Sequence, residues 1–407
     1  MPEHLNLEPS VPDASSRRRR RLMGVIGVAV LLLGGLSLVP LLTWSDEQYR
    51  ARCRELSDAE QWDQLQKVAA DWVSAASMPD EAYIYLADAQ LNSGQPLLAI
   101  ENLLRVPPQS HRSFAALITA CNLQFGPVNR PLDGVRTLEL MIQQRPSSIS
   151  SHQRLIFFYA VTLQRNRMLA AIYDAIRAGA EPPDAYGYLI LADHLSFSNG
   201  FTKNSEWLKS DPEAEVFQAA RIVQLIDQVK SSEDPAAGAA LERYVESFEQ
   251  LRQKYPENLV LLRSAIERAA ENYDIEQVES LLNQVPAGTT DSVILRHQGW
   301  LKFQQDQFQD ARRLLEQSLS EHALDWHAWH ELAACHRRLG NLTEAEEASE
   351  IAITGKALRK ELLQLEDAAA VSADLLARIG RYAESCGEQR VSAAIHRRLY
   401  AMGQVPN

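Results

Sequence analysis

The sequence predicts an all-α fold, a stack of two-helix hairpins with one membrane-spanning helix ahead of it, and three observations predict it. From Glu47 onward apolar residues recur at i, i+3, i+4 and i+7 in stretches of about 12 to 18 residues, broken at Gly, Pro or Asn. Strand-like alternation is sustained nowhere in the chain. One helix position returns at a nearly constant interval, and Leu22 to Thr43 is a long run without a charge.

The size of 407 residues, with 46% hydrophobic and 23% charged side chains, excludes a lone mini-domain and a chain disordered throughout. The 53 acids against 41 bases give a net charge of -12. Five of those bases, Arg17 to Arg21, precede the apolar run, so the body beyond it is more acidic still. Such a body repels phosphates and shows no basic stripe with interleaved aromatics, which argues against nucleic acid as a partner.

The N-terminal segment bears on topology. Leu22 to Thr43 is long enough for the roughly 30 Å core of a bilayer. Arg17 to Arg21 before it, with Trp44, Asp46 and Glu47 after it, predict a cytoplasmic N-terminus and an extracytoplasmic body. Residues 1–21 then read as a disordered basic cytoplasmic tail, and the localisation as single-pass membrane. A cleaved secretory signal is the competing reading. It wants an apolar core of about 7–15 residues and an Ala-x-Ala-like site, to which Gly35-Leu36-Ser37 is the nearest approach.

Following the small second-helix position gives Leu65, Ala99, Gly134, Ala171, Asn204, Tyr244, Val278, Ala311 and Ala345, at steps of 34, 35, 37, 33, 40, 34, 33 and 34. About nine copies thus span 47–355, irregular near 204–244, where Asn204 and Tyr244 stand at a tight helix contact. Gly94, Gly200 and Gly340 are expected at helix reversals, and Pro146 and Pro256 where the chain leaves a second helix. Residues 356–407 read as a long helix and a capping hairpin over the open end of the stack.

The best copies are Asp291 to Leu319 and Asp325 to Ile353. In the second, Trp329, Leu332, Ala333 and His336 precede a turn at Gly340, with Ala345 and Ala352 on the following helix. At these places the chain resembles the tetratricopeptide repeat family, whose length is 34 residues, though His336 replaces the family's Tyr and the closing Pro is missing. The resemblance implies a right-handed α-solenoid. It further implies that the first helix of each repeat lines a groove holding a peptide or partner helix.

Carried over residue by residue, the resemblance selects Arg263, Arg296, Trp300, Phe303, His327, His330, Arg337 and Arg338 as the partner-binding groove. Arginine suits carboxylate recognition through its planar fork; the alternative is that these are ordinary helix charges paired with Glu267 or Glu271. Earlier copies give an apolar and acidic lining of Glu81, Ile84, Asp88, Leu91, Tyr186, Leu189 and Asp193, so the two halves are expected to prefer different ligands. The family's carboxylate clamp wants Asn where Trp300 and Glu331 stand, which disfavours a chaperone-tail adaptor.

No catalytic, cofactor-binding or metal set emerges. His330-Glu331 begins like HExxH, but Cys335 and His336 stand five and six residues on, not four. Phosphate-cradling glycine loops and the serine-hydrolase elbow are missing from the sequence. Cys53, Cys121, Cys335 and Cys386 are too scattered for a metal motif and fall among apolar helix positions. A Cys335–Cys386 disulfide is the alternative. The expected function is a non-catalytic, membrane-anchored scaffold binding a protein or peptide in an envelope complex. Two alternatives stand beside it: an assembly helper handling haem or apo-protein through His327 and His330, and an accessory subunit of a membrane enzyme.

Overall fold

The computed structural model describes residues 44–77, 79–193, 195, 199–230, 237–365 and 371–403. Among the described residues there are twenty helices and no strand. None of these helices is long and apolar enough to cross a membrane, which corrects the expected single-pass membrane localisation. Leu22 to Thr43, on which that expectation rested, lies outside the described residues, as do residues 1–21.

The chain divides at Gly94 into two compact units. The first holds α1 (Asp46–Asp58), α2 (Trp62–Ala75) and α3 (Asp80–Asn92). Ser45 opens α1 with a capping box, its hydroxyl accepting from the Gln48 amide while the Gln48 side chain accepts from the Ser45 amide. The three helices close over Cys53, Leu56, Leu65, Ala69, Trp72 and Leu86. Trp72 satisfies its buried indole by donating to Asp46 at 2.8 Å.

The second unit begins with α4 (Pro96–Leu104), α5 (Ser113–Phe125), α6 (Pro131–Gln144), α7 (Ile149–Val161), α8 (Arg165–Ala178) and the short α9 (Ala185–Ile190). It continues with α10 (Gly200–Trp207), α11 (Glu215–Lys230), α12 (Ala237–Lys254), α13 (Leu259–Glu271) and α14 (Ile275–Leu282). The last six are α15 (Ser292–Gln304), α16 (Phe308–Glu321), α17 (Trp326–Leu339), α18 (Leu342–Leu362), α19 (Ala373–Ser385) and α20 (Gln389–Ala401).

Two local devices recur with the repeat. The hairpin turns carry a left-handed residue at Glu60, Gly94, Asn129 and Leu163, and again at Tyr273, Asp306 and Gly340, with φ between +53° and +81°. Only two of these seven are glycines, which is why the glycine pattern of the sequence conveys so little of the period. Gly200, expected in a turn, is instead the buried first residue of α10 against the Gln224 side chain. The second device is the N-cap of the first helix. Asn258, Asp291 and Asp325 each accept from two amides in the first turn of α13, α15 and α17.

A left-handed backbone costs a residue with a Cβ roughly 1–2 kcal/mol. Glu60 is exposed, with φ +53°. Glu60→Gly should therefore raise stability by about 0.5–1 kcal/mol after glycine's own entropy cost, read as a higher urea midpoint; a lower midpoint would refute this account of the turn.

Core packing joins distant parts of the second unit. Tyr186 and Leu189 of α9 share one apolar cluster with Leu358, Leu362, Tyr382 and Ile395. Gly355 lets α18 approach its neighbours so closely that a Cβ there would run into the Tyr382 hydroxyl and Trp326. Polar contacts fix the same return: Tyr173 donates to Glu388 at 3.3 Å, Arg398 to the Glu181 carbonyl at 3.1 Å, and His322 bonds the Leu189 carbonyl at 3.0 Å. Residues 173–189 thus contact both the C-terminal hairpin and the end of α16. All four cysteines are buried and unpaired.

Candidate functional site

The first-helix arginines of the predicted groove form a ladder between repeats. Arg296 on α15 donates through Nη1 to Asp325, at 3.1 and 3.0 Å from its two oxygens, and Asp325 is the N-cap of the next repeat's first helix. One repeat earlier, Arg263 Nη1 stands 3.4 Å from Asp291, which caps α15. Arg263 also donates to the Leu163 carbonyl at 3.0 Å. A guanidinium at the fifth place of one first helix therefore meets the capping carboxylate of the next.

The acidic lining expected of the other half supplies the remaining partner. Asp193, just after α9, accepts from Arg165 Nε and Nη2 at 3.1 and 2.8 Å and from Arg296 Nη1 at 2.7 Å. His327 Nδ1 lies 3.7 Å from the same carboxylate. Asp193, one residue of the lining that the sequence set apart as a separate ligand surface, thus meets Arg296, and the chain's own carboxylate occupies the carboxylate-binding place of that arginine.

Asp193, Asp325 and His327 bring one ligand atom each within 4.8 Å of one another, a spacing that would suit a metal ion. Arg296 stands among them, bonded to both carboxylates. The cation of this cluster is a guanidinium, and its charge opposes the entry of a second cation.

Burial and pairing set the charges here. Burial alone would raise Asp193, but Arg296 and Arg165 hold it well below the usual carboxylate range. Asp325 goes the other way, raised by burial and by Asp193 beside it. Burial pushes Glu267 up to about 7 and Glu331 up to about 8, in spite of Arg296. His297 and His322 are pushed down to about 3 by the same cause, and His327 is lowered too, so these rings stay neutral.

The remaining predicted groove residues separate. Trp300 packs at 6.3 Å from the exposed Tyr273 ring, and Phe303 at 5.3 Å from Phe308. Arg338 lies 5.3 Å over Phe308. His330, Arg337 and Arg338 are exposed, whereas Arg263 and Arg296 are at most 9% exposed. The structure does not gather the eight into one surface. His327 stands at the edge of the buried cluster, partly exposed, and His330 faces solvent.

Open space lies elsewhere in the second unit. A cleft of about 1150 Å³ is walled by α6, α7 and α8 on one side and by residues 214–216 and 258–260 on the other. Its apolar wall includes Leu132, Val135, Leu155, Tyr159, Val216 and Leu259. Arg136, Arg167, Glu139 and Glu215 add charges of both signs, and the Arg263–Asp291 pair lies within it. Sequence reasoning missed this cleft because α11 and α13 reach α6–α8 across a stretch where the period falters.

Residues 302–349, from the end of α15 into α18, match the family profile described as "Tetratricopeptide repeat". Residues 302–349 carry a tetratricopeptide repeat. Asp325 and His327 lie within this segment and Arg296 just before it, and Gly340 supplies its left-handed turn. No curated protein matches the sequence.

Among solved structures, the chain is similar to the Cut9-Hcn1 hetero-tetramer of the APC/C, at 12% identity and a TM-score of 0.34. That likeness covers 83% of this chain and only 64% of the other. The human IFIT1 dimer with PPP-AAAA is similar at 13% identity and 0.31, covering 91% and 80%. A tetratricopeptide repeat protein from Parabacteroides merdae is similar at 12% and 0.19, covering 79% and 93%.

Proposed function

We propose that this chain is a non-catalytic protein-interaction scaffold, and that it holds an extended segment of a partner protein in the cleft between α6–α8 and the 214–216 and 258–260 strips. The observation that carries this reading is the cleft itself. At about 1150 Å³ it exceeds the usual 300–1,000 Å³ of small-molecule pockets, and it opens to solvent. Its wall mixes apolar side chains with charges of both signs, as a protein surface does rather than a phosphate or metal site. The tetratricopeptide match supports a binding rather than a catalytic role.

Of the groove inferred from the sequence, the proposal keeps Trp300, Phe303, His330, Arg337 and Arg338 as a second contact surface. Arg263 and Arg296 are spent on internal pairing, with the neutral His327 ring beside Asp193.

Val216 is partly exposed on the cleft wall. Val216→Glu should abolish co-purification of the partner while shifting the melting temperature by no more than a few degrees. Retention of the partner at wild-type level would reject the cleft as its site.

A further inference from the structure

The repeat breaks off in an open seam at the C-terminal hairpin. On α16, Leu319 is 8% exposed and shares an apolar cluster with Ala328 and Leu332 of α17, the first helix of the next repeat. Ile353 holds the same place one repeat length later, on α18, and is 66% exposed. The length of α18 explains the difference. It runs on past Gly355 to Leu362, where Leu358 and Leu362 join the core with Tyr186 and Leu189, so no first helix follows at the repeat spacing. The next helix, α19, begins only at Ala373 and meets α18 closely where Tyr382 packs on Gly355.

Beside that contact the two helices leave a groove of about 450 Å³. Ile353, Ala357 and Leu358 form its apolar wall on α18, and Arg378 and Arg381 are the charged residues that line it from α19. No carboxylate belongs to the described lining, and the exposed Glu350 and Glu384 of the same helices lie outside it. Arg378 is held by Glu361 at 2.7 Å and stands 3.9 Å from Asp374. Arg381, one turn further along, is exposed and pairs with no carboxylate among the described residues. The charge of the region has the same sign. Residues 353–401 carry eight bases against six acids in a chain whose net charge is -12.

We propose that the groove between α18 and α19 docks an acidic amphipathic helix of a partner protein. The occupant is a helix because the equivalent seam one repeat earlier is filled by one, α17, and because a groove between two helices accepts the side-chain ridge of a third. It is acidic because the lining charges are guanidiniums, which take carboxylates through paired hydrogen bonds. An apolar side chain of the partner helix rests on Ile353 and Ala357, and a carboxylate on its flank pairs with Arg381. Arg378 and Arg381 are three residues apart on one helix face, about 5–6 Å between Cβ atoms, which matches carboxylates one turn apart on the partner. This surface is separate from the cleft between α6–α8 and α11, and the proposal stands without it.

The test is fluorescence anisotropy of the full chain with two labelled, lactam-bridged helical peptides, one with a leucine face flanked by glutamates and a twin in which lysines replace the glutamates. The wild-type chain should bind the glutamate peptide at least tenfold more tightly than the lysine peptide. Arg381→Glu should abolish that preference, and Ile353→Asp should weaken the glutamate peptide at least tenfold. Both residues are exposed, so both variants should keep the wild-type melting curve. Val216→Glu, on the cleft wall, should bind as the wild type does. No saturable binding of the glutamate peptide, equal binding of the two peptides, indifference to Arg381→Glu and Ile353→Asp, or loss in Val216→Glu would overturn the proposal. Sedimentation velocity examines the rival occupant: a dimer that Ile353→Asp dissolves would assign the groove to a second copy of this chain and overturn the partner helix, whereas a monomer supports it.

Discussion

Arg296→Met should cost about 3–5 kcal/mol of stability, the penalty for removing one partner of a buried ion cluster and leaving the others uncompensated. Asp325 loses its bonded guanidinium and Asp193 one of its two, and Asp325 must still cap α17. Methionine keeps most of the volume, so the loss reports the charge rather than a cavity. Arg337→Glu on the next first helix is the control. Arg337 is exposed and should change stability by less than about 0.5 kcal/mol. Chemical denaturation of both variants checks the pair, and equal small effects would mean that Arg296 is a surface arginine in all but position.

Phe158→Ala should be comparably damaging, by about 3–5 kcal/mol. The ring is 2% exposed and sits among Phe125, Tyr159, Trp207 and Phe217, with centroids 5.5 to 6.3 Å away. It ties α5, α7, α10 and α11 together, and α7 and the start of α11 also wall the cleft. Guanidinium unfolding would measure the loss; a cost below about 1 kcal/mol would show that the aromatic cluster collapses readily onto the vacancy.

The helical class and the hairpin period were legible because they depend on apolar spacing, which any helix stack must display. Trp329, Leu332, Ala333 and Ala345 carry it clearly, and their segment matches the family profile. The turns were not legible from glycines, because Glu60, Asn129, Leu163, Tyr273 and Asp306 accept the left-handed conformation at some cost.

Arg263 and Arg296 were selected by their equivalent repeat positions, yet their role could not be read from their own helix. Their partners are the capping acids of the following repeat and Asp193, more than a hundred residues upstream of Arg296. One local signal was present: Asn258, Asp291 and Asp325 also recur at the repeat length, each five residues before Arg263, Arg296 and His330. A cap and a cation sharing one period point to pairing between repeats. The cleft left no such trace, since its walls come from helices that meet only through the return of the chain.

A double-mutant cycle on Arg296→Met and Asp325→Asn, with stability measured by denaturant unfolding, tests most directly whether the first-helix arginines form an internal ladder. Asparagine keeps the capping geometry while removing the charge. The ladder predicts a coupling energy of about 2 kcal/mol or more between the two sites. Additive single effects, with coupling near zero, would contradict it and return Arg296 to the set of residues free to bind a partner.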